Sequence, residues 1–379
     1  AAVTISESGI EASGIGITCA SINGGAIGGR RNLIINGAML VAQRGTSSTD
    51  SGYATVDRNK FSHSGTDEAP TQAQVDLSSS DTPYTLGFRK AYKITNGNQT
   101  SGAGADDYIK FQHNVEAQNV NASGWNFKSS SSFITLSFWC RSSVAQSFQA
   151  YFETADTTKQ AYVFETGSLS ADTWTKIVKT IPGNSNSTIN NDNGRGVTIN
   201  ISMFYGTNKT GSNTLNQWKE YSASNLHAAS ATTWYTTNDA TFEITGLQLE
   251  VGPQATPFEF CSYDDELSRC YRYYQKITGG GNCQGVVNSA GEAARMGFPL
   301  LKTMRSAPTV AVTGTLKCYD STNTRDYTST SGVYVVSPFA FDFDTSSSGA
   351  SGGSTMTHGR ACVLYSASDT GGFECSSEL

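Results

Sequence analysis

Histidine and serine are the residues with which catalytic chemistry would begin, and neither is placed for it in this sequence. A histidine activates a nucleophile only when Ser, Cys or an acid is presented beside it. Serine is abundant, but the GxSxG spacing occurs only as GASGG (349–353) inside a Ser/Gly-rich loop, and not at a nucleophile elbow that joins a strand to a helix. The histidines stand outside any recognisable catalytic or ligand spacing: His63, His113, His227 and His358. The sequence therefore predicts no catalytic triad.

Acidic pairs are the second source of chemistry. They are Asp106-Asp107, Asp264-Asp265 and Asp342 with Asp344. Glycoside hydrolysis needs two carboxylates about 5–9.5 Å apart across a sugar, which neighbours in sequence do not supply. Asp264-Asp265 is better suited to the start of a helix, where acids satisfy free backbone N–H groups. We predict that the protein is not an enzyme, with a polysaccharide depolymerase as the alternative.

Carboxylates could also hold calcium, which takes hard oxygen ligands. The candidates are Asp106 with Asp107, or Glu243 with Glu259. The sequence contains no EF-hand loop and no Cys/His ligand spacing. We predict no cofactor and no metal ligands, and keep a structural Ca²⁺ ion as the alternative.

Saccharide binding is the chemistry that the aromatic residues favour. Aromatic rings stack on the C–H faces of sugars, while nearby amides and charges take the hydroxyl groups. That mixture occurs in the loop 206–240 and again in the polar loop around 319–327. The alternative is that these rings close the protein core. The predicted glycan-binding residues are Trp218, Tyr221, Trp234, Tyr235, Tyr319, Asp320, Asn323, Arg325 and Tyr327.

The composition predicts many short strands and excludes several classes of function. Among 379 residues only 15% are charged and 37% are hydrophobic, a balance that favours strands joined by polar turns. The net charge is −6 and basic residues are scattered, so we expect no nucleic-acid partner. No run approaches the roughly 18 apolar residues of a membrane span. The first residues lack the order of a signal peptide, so we expect no secretion and no membrane insertion.

Eight cysteines would permit four disulfides, but their spacing shows no CxxC pair. In a chain of this length their density is well below that of a disulfide scaffold. We therefore expect reduced thiols when the chain folds. Cys362 with Cys375 is the pair to test first.

Alternating apolar residues predict an antiparallel jelly-roll β-sandwich over residues 31–262. Ile134, Leu136, Phe138 and Cys140 share one face of a strand, and Thr135, Ser137, Trp139 and Arg141 share the other. An Asn36-Gly37 turn follows a first strand. The strands predicted between 83 and 251 are Leu86–Tyr92, Tyr108–Phe111, Trp125–Phe127, Ile134–Arg141, Phe148–Phe152, Tyr162–Thr166, Thr173–Ile181, Val197–Phe204 and Thr241–Val251.

A change of period follows the sandwich. Gly252-Pro253 ends the last strand, and from Asp264 onwards Leu267, Tyr271 and Tyr274 fall three or four residues apart, as on one stripe of a helix. We predict a short helical neck over residues 263–278. Residues 279–379 predict a separate β tip with Ser/Thr/Gly-rich loops. Residues 1–30 are Gly-rich and too poor in apolar residues to fold alone, which suits an arm that docks on a partner.

The chain resembles bacteriophage tail fibre and receptor-binding proteins. The resemblance rests on four sequence segments. In such proteins these segments occur in this order around a sandwich similar to carbohydrate-binding modules. They are RRNLIINGAMLVAQRG (30–45), ITGLQLEVGPQATPFEF (244–260), YDDELSRCYRYYQK (263–276) and FPLLKTMRSAPTV (298–310). The resemblance covers most of residues 30–310 and does not extend to the final region.

The resemblance implies a homotrimeric fibre that belongs to the virion and folds in the host cytoplasm. The arm 1–30 would hold a tail component (an adaptor, nozzle or baseplate protein), and the tip 279–379 would bind a host surface glycan or lipopolysaccharide. We hypothesise that Leu267, Tyr271 and Tyr274 meet on the trimer axis in the neck. A structural fibre or head-decoration spacer without a ligand is the second alternative, beside the depolymerase.

Overall fold

The computed structural model describes residues 30–278, 283–287, 295–328, 332–344, 351–366 and 371–379, and the backbone of two hairpins nearer the start. In these hairpins β1 (Val3–Ser6) pairs with β2 (Gly9–Ala12), and β3 (Ser21–Ile22) pairs with β4 (Gly25–Ala26). The rest of the predicted arm lies outside the described residues. Among the described residues, no helix is long and apolar enough to cross a membrane.

Two six-stranded antiparallel sheets form a sandwich from residue 47 to residue 251. In spatial order the first sheet contains β13 (Thr175–Pro182), β10 (Phe133–Ser142), β16 (Thr241–Val251), β8 (Lys90–Thr95), β7 (Thr71–Asp76) and β5 (Ser47–Ser48). The second contains β15 (Gln217–Glu220), β12 (Gln160–Glu165), β11 (Gln149–Thr154), β14 (Arg195–Tyr205), β9 (Tyr108–Glu116) and β6 (Asn59–Ser64). The prediction of a mainly β fold built from antiparallel sheets is confirmed.

The core lies between the two sheets, because each strand turns alternate side chains inward. Ile134, Leu136 and Phe138 of β10 are fully buried in it, as are Ile199 and Ile201 of β14 on the opposite sheet. The outward side chains of β10 are those that the sequence had assigned to its other face. The alternation along β10 therefore directs one set of side chains into the core and the other set to the outer face of the sheet.

Helices in the sandwich are single turns that carry the chain between strands: α1 (Thr82–Thr85), α2 (Ala117–Asn121), α3 (Thr233–Thr236) and a 3-10 turn at Thr207–Lys209. Two predicted strands are wrong. Trp125–Phe127 forms a turn after α2 whose Trp125 ring packs into the core. Residues 31–45 form an irregular segment held by the bond from Leu33 N to Leu249 O. Burial of apolar side chains does not require strand pairing, so the apolar pattern misled the prediction.

The predicted neck is not one helix. Helix α4 (Tyr263–Cys270) starts at Ser262, whose hydroxyl accepts a hydrogen bond from Asp265 N. The helix ends at Cys270, and after a turn β17 (Tyr274–Thr278) begins. The prediction of a helical stripe through Tyr274 is wrong, because pairing of β17 with β27 (Gly372–Ser376) takes the backbone bonds that a longer helix would need.

The C-terminal unit, defined here as residues 274–379, consists of three small antiparallel sheets. The first has the order β17, β27 and β20 (Thr309–Thr313). The second contains β18 (Cys283–Val286), β26 (Ala361–Ser366), β21 (Leu316–Tyr319), β22 (Thr324–Tyr327) and β25 (Gly352–Gly353). The third contains β19 (Arg295–Pro299), β24 (Ala340–Asp344) and β23 (Val333–Tyr334). A second hydrophobic core, with Phe298, Phe341 and Phe373 in mutual ring contact, joins them.

Both ends of the C-terminal unit attach to the sandwich. Immediately before its first strand, Arg272 and the Tyr273 hydroxyl donate to the buried carboxylate of Glu116. At the second end, Glu378 forms an ion pair with Arg58, which is 1% exposed. Burial acts to lower the pKa of Arg58, and the adjacent Glu378 carboxylate outweighs this effect, so the pKa lies above its usual value.

Candidate functional site

A cleft of 530 Å³ opens on the outer face of the first sheet. Its floor is the sheet itself, and one wall is the irregular segment 256–260 that follows β16. Aromatic rings dominate the surface, and a few polar side chains stand among them. Pockets of this volume, mostly apolar with a small number of polar groups, are typical of small-ligand sites.

Strand register places the floor residues side by side. Ser137 and Trp139 are two apart on β10 and therefore point to the same outer face. Trp139 lies opposite Lys176 of β13, so the indole and the ammonium group are cross-strand neighbours. The Trp139 ring is half-buried and Lys176 is exposed. The floor thus offers an aromatic surface beside a cation and a hydroxyl.

Three phenylalanines form the wall. Phe88 contacts Phe258 at a centroid distance of 4.8 Å and Phe260 at 5.0 Å, and the latter two rings are 4.9 Å apart. Phe88 is 3% exposed, whereas Phe260 is 50% exposed. The buried ring therefore supports two others that face the cleft.

A β-bulge makes room for this wall. The register between β10 and β16 shifts between Ser137 and Trp139, opposite Gly246. Gly246 has φ of +63°, and a Cβ there would lie 2.7 Å from Cζ of Phe88. Only glycine combines this backbone conformation with so close an approach of the ring.

Hydrogen bonds hold the wall segment in place. The Glu259 carboxylate accepts from the backbone N–H groups of Arg31 and Asn32 at 2.7 and 2.6 Å. Glu259 N donates to Gln248 Oε1 at 2.8 Å, and Thr256 N donates to Glu250 Oε1 at 2.8 Å. These bonds fix the backbone on both sides of Phe258, so the wall is preformed.

In the loop 206–240, two predicted glycan-binding residues belong to the core. Trp234 and Tyr235 are fully buried. The indole of Trp234 donates to Thr241 O at 3.0 Å, and the Tyr235 hydroxyl donates to Asp107 at 2.9 Å. Assigning them to glycan binding is wrong, because α3 turns both rings inward to close the end of the sandwich.

Trp218 and Tyr221, in the same predicted set, are half-buried. Trp218 lies on the edge strand β15, donates to Pro182 O at 2.8 Å and packs edge-on against Tyr162. The ring of Tyr221 lies 5.3 Å from the ammonium of Lys159. Each has partners inside the protein, and neither contributes to the cleft.

In the C-terminal unit, the residues predicted to bind a glycan differ in burial and in role. Tyr327 is fully buried, and Asp320 is a loop-forming residue whose carboxylate accepts from the backbone of Thr322, Asn323 and Thr357. Burial favours a raised pKa at Asp320, but these N–H groups outweigh it and hold the pKa below its usual range. Assigning Asp320 and Tyr327 to ligand binding is therefore wrong.

The other members of that set remain nearer the surface. Tyr319 is 42% exposed, while Asn323 and Arg325 are half-buried. Asn323 lies within 3.4 Å of Asp320 and Thr357, so its amide supports the same loop. Tyr319 is thus the member of the predicted tip site with the most accessible ring.

The predicted trimer residues also differ in environment. Leu267 and Tyr271 are half-buried, whereas Tyr274 is 2% exposed within one chain. The Arg44 guanidinium lies 3.5 Å from the centroid of the Tyr274 ring. Tyr274 is therefore covered by its own sandwich, and its assignment to a trimer axis is wrong.

The carboxylates considered for calcium have protein partners. Asp107 accepts from Gly104 N and from the Tyr235 hydroxyl, and Glu243 pairs with Arg141 at 2.5 Å. Glu259 accepts from backbone N–H groups, as described above. No cluster of three or more potential ligands occurs among the described residues.

The cysteines that the structure describes are free thiols. Cys362 forms a side-chain hydrogen bond with Cys318 on the neighbouring strand, an arrangement that raises the pKa of Cys318 above its ordinary value. The thiol that lies beside Cys362 is therefore that of Cys318, and not that of Cys375 as the sequence suggested.

Sequence reasoning missed the cleft although it had placed Trp139 on the outer face of its strand. Nothing in the spacing of Phe258 and Phe260 indicates that these two rings return over Trp139. The available signal was the pair of phenylalanines, Phe258 and Phe260, that follows Gly252-Pro253.

Comparisons with known proteins give only weak structural likenesses. No protein-family model matches the chain, and no curated protein matches it. An enzymatically active domain of bacteriophage CBA120 tailspike protein 4 is similar at 10% identity and a TM-score of 0.31, over 58% of this chain and 21% of that chain. A putative sugar binding protein from Bacteroides thetaiotaomicron gives 11% identity and 0.29, over 59% and 100%.

A family 11 carbohydrate-binding module from Clostridium thermocellum is similar at 10% identity and a TM-score of 0.25, covering 56% of this chain and 98% of that one. The match therefore spans about a fifth of the tailspike domain's length and nearly all of the two smaller proteins. Likeness at these TM-scores does not carry any function over to the present chain.

Proposed function

We propose that this protein binds a surface saccharide through the cleft on the outer face of its first sheet. The observation that carries the proposal is the preformed aromatic wall beside Trp139, with Lys176 and Ser137 at the floor. A pyranose ring packs its C–H face on an aromatic ring while its hydroxyl groups bind polar neighbours. The cleft offers both kinds of group within one concave surface.

Binding without cleavage is the proposed activity. Hydrolysis of a glycosidic bond uses two carboxylates on either side of the sugar. Glu259 is the one carboxylate among the described residues that line the cleft, and two backbone N–H groups already bind it. This arrangement supports an adhesin over a depolymerase.

The biological setting that we propose is the tail fibre of a bacteriophage, with host recognition as its role. The four sequence segments between residues 30 and 310 that resemble such proteins support it. In this proposal the chain is a homotrimer that is held on the virion through residues 1–30. A ligand-free spacer is the competing role, and the cleft favours the adhesin over it.

Affinity electrophoresis and calorimetry with purified host envelope polysaccharide test the saccharide site. Trp139→Ala is expected to weaken binding at least tenfold, because loss of one stacked ring removes about 1.5–3 kcal/mol. Tyr319→Ala is the matched control, since it removes an exposed ring from the C-terminal unit. Loss of binding in Tyr319→Ala alone would move the site to that unit.

The mixture of protein and host envelope polysaccharide also distinguishes the competing functions. Retention of the polysaccharide without release of oligosaccharides supports the adhesin. Release of oligosaccharides would establish a depolymerase instead. If the polysaccharide is neither retained nor cleaved, the result favours a spacer. Chromatography of the supernatant therefore accompanies the binding measurement.

The oligomeric state is tested by light scattering. We expect the mass of three chains for the wild type and a lower mass for Leu267→Asp with Tyr271→Asp, because half-buried apolar groups on an axis would become charged. A trimer that is unchanged in the double variant would remove α4 from the interface.

A further inference from the structure

A second pocket, of 330 Å³, lies where the sandwich, α4 and the C-terminal unit meet. Four of its lining residues are cationic, and they come from separate stretches of the chain. They are Arg30 before the sandwich, Arg269 in α4, Arg272 in the following turn and Lys302 after β19. Asn119 of α2 and Ser123, which follows this helix, add polar groups to the wall.

The positive charge of this pocket is largely uncompensated. Among the described residues, Arg272 is the one of these four cations that forms an ion pair, with Glu116 at 2.6 Å. Both oxygens of that carboxylate are already bound by Arg272, Tyr273 and Gln118. Such a cluster is unexpected in a chain of net charge −6.

One of the four cations also has a buried donor without a partner. Nε of Arg269 is buried without a hydrogen-bond partner in the part of the chain that the structure describes. Lys302 donates to Ser268 Oγ at 2.9 Å. Burial lowers the pKa of Lys302, and the nearby charges of Arg30, Arg272 and Arg269 lower it further. An anion in the pocket would offset the repulsion among these cations.

We propose that this pocket binds a phosphoryl group, either as inorganic phosphate or on a phosphorylated sugar. Arg269, Arg30 and Lys302 together match the charge and the several acceptor oxygens of a dianion. The volume exceeds what one phosphate fills, so an attached monosaccharide has room. The inference does not depend on the aromatic cleft, whose lining residues are different.

Calorimetric titration at low ionic strength tests the proposal with glucose 6-phosphate, inorganic phosphate and glucose as probes. We expect saturable binding of both phosphates and no binding of glucose at this pocket. Tighter binding of glucose 6-phosphate identifies a phosphorylated sugar, and equal affinity identifies phosphate itself. Binding should weaken as salt is added, because the contact is mainly ionic.

Variants locate the site. Arg269→Gln with Lys302→Gln should lower the phosphate affinity at least tenfold, whereas Lys317→Gln, which removes a cation from elsewhere in the C-terminal unit, should not change it. Trp139→Ala should retain phosphate binding, which separates this site from the cleft. Thermal denaturation checks that each variant is folded. Absence of saturable phosphate binding, or wild-type affinity in the double variant, would overturn the proposal.

Discussion

His227 shows how strongly one buried side chain is held in a single protonation state. It is fully buried, with one ring nitrogen 3.0 Å from Ser202 Oγ and the other 2.7 Å from Ala228 O. Burial lowers the pKa of His227 to about 4. The ring therefore supports the second sheet as a neutral hydrogen-bonding group, and a catalytic or metal role is not needed to explain it.

Acid should weaken the fold through this residue. The folded pKa of about 4 lies below the unfolded value of 6.5, so the unfolded state binds the proton more readily as the pH falls from 6.5 to 4. At about 1.4 kcal/mol per pKa unit, lowering the pH from 7.5 to 5 costs roughly 2 kcal/mol at this site. The stability deficit of His227→Gln relative to wild type should shrink by that amount, measured by urea denaturation.

His358→Gln is the matched variant for this measurement, because the ring lies on the surface. Its unfolding free energy should follow the wild type at both pH values. A deficit of His227→Gln that is the same at pH 7.5 and pH 5 would contradict the assignment.

At the level of single strands, β10 serves the core and the cleft at once. The sequence predicted both faces correctly, because strict alternation leaves a strand only one way to bury its apolar side. The sequence could not predict the bulge opposite Gly246, since a glycine in a strand is compatible with several local distortions. It also misassigned Tyr274, whose spacing fits a helix as well as a strand.

The wall of the cleft depends on Gly246. Gly246→Ala should destabilise the protein by more than Gly167→Ala, although both glycines have positive φ. The left-handed backbone costs each variant about 1–2 kcal/mol. At Gly246 the added Cβ would also meet Phe88, whereas nothing lies within 4 Å at Gly167, and overpacking adds about 1–3 kcal/mol. Guanidinium denaturation measures the difference.

Equal losses in the two variants would show that Phe88 moves aside without cost. In that case saccharide binding by Gly246→Ala should be close to that of wild type. A loss of binding together with the larger destabilisation would support the wall as a preformed element.

Across the whole molecule, the sandwich and the C-terminal unit are joined by more than the chain between them. Glu378 pairs with Arg58 and lies 3.2 Å from Arg44, while Tyr53 and Asn114 donate to Leu379 O at 2.8 and 2.9 Å. None of these contacts could be predicted from sequence, because the partners are more than 260 residues apart. The final residues of the C-terminal unit therefore lie against the sandwich.

This junction should contribute strongly to stability. Glu378→Gln leaves the Arg58 charge buried without its partner, and breaking a buried ion pair costs about 3–5 kcal/mol. Asp76→Asn is the control, since Asp76 is 81% exposed in its pair with Lys90 and such surface pairs contribute about 0–1 kcal/mol. Differential scanning calorimetry should show a clear drop in Tm for the first variant alone. Similar Tm values would mean that solvent reaches Arg58 freely.

The wall segment 256–260 has one more consequence. Its last residue lies three positions before Tyr263, where α4 begins and the chain turns toward the C-terminal unit. Because Glu259 fixes the backbone beside Phe260, a saccharide seated against that ring would leave the start of α4 in place.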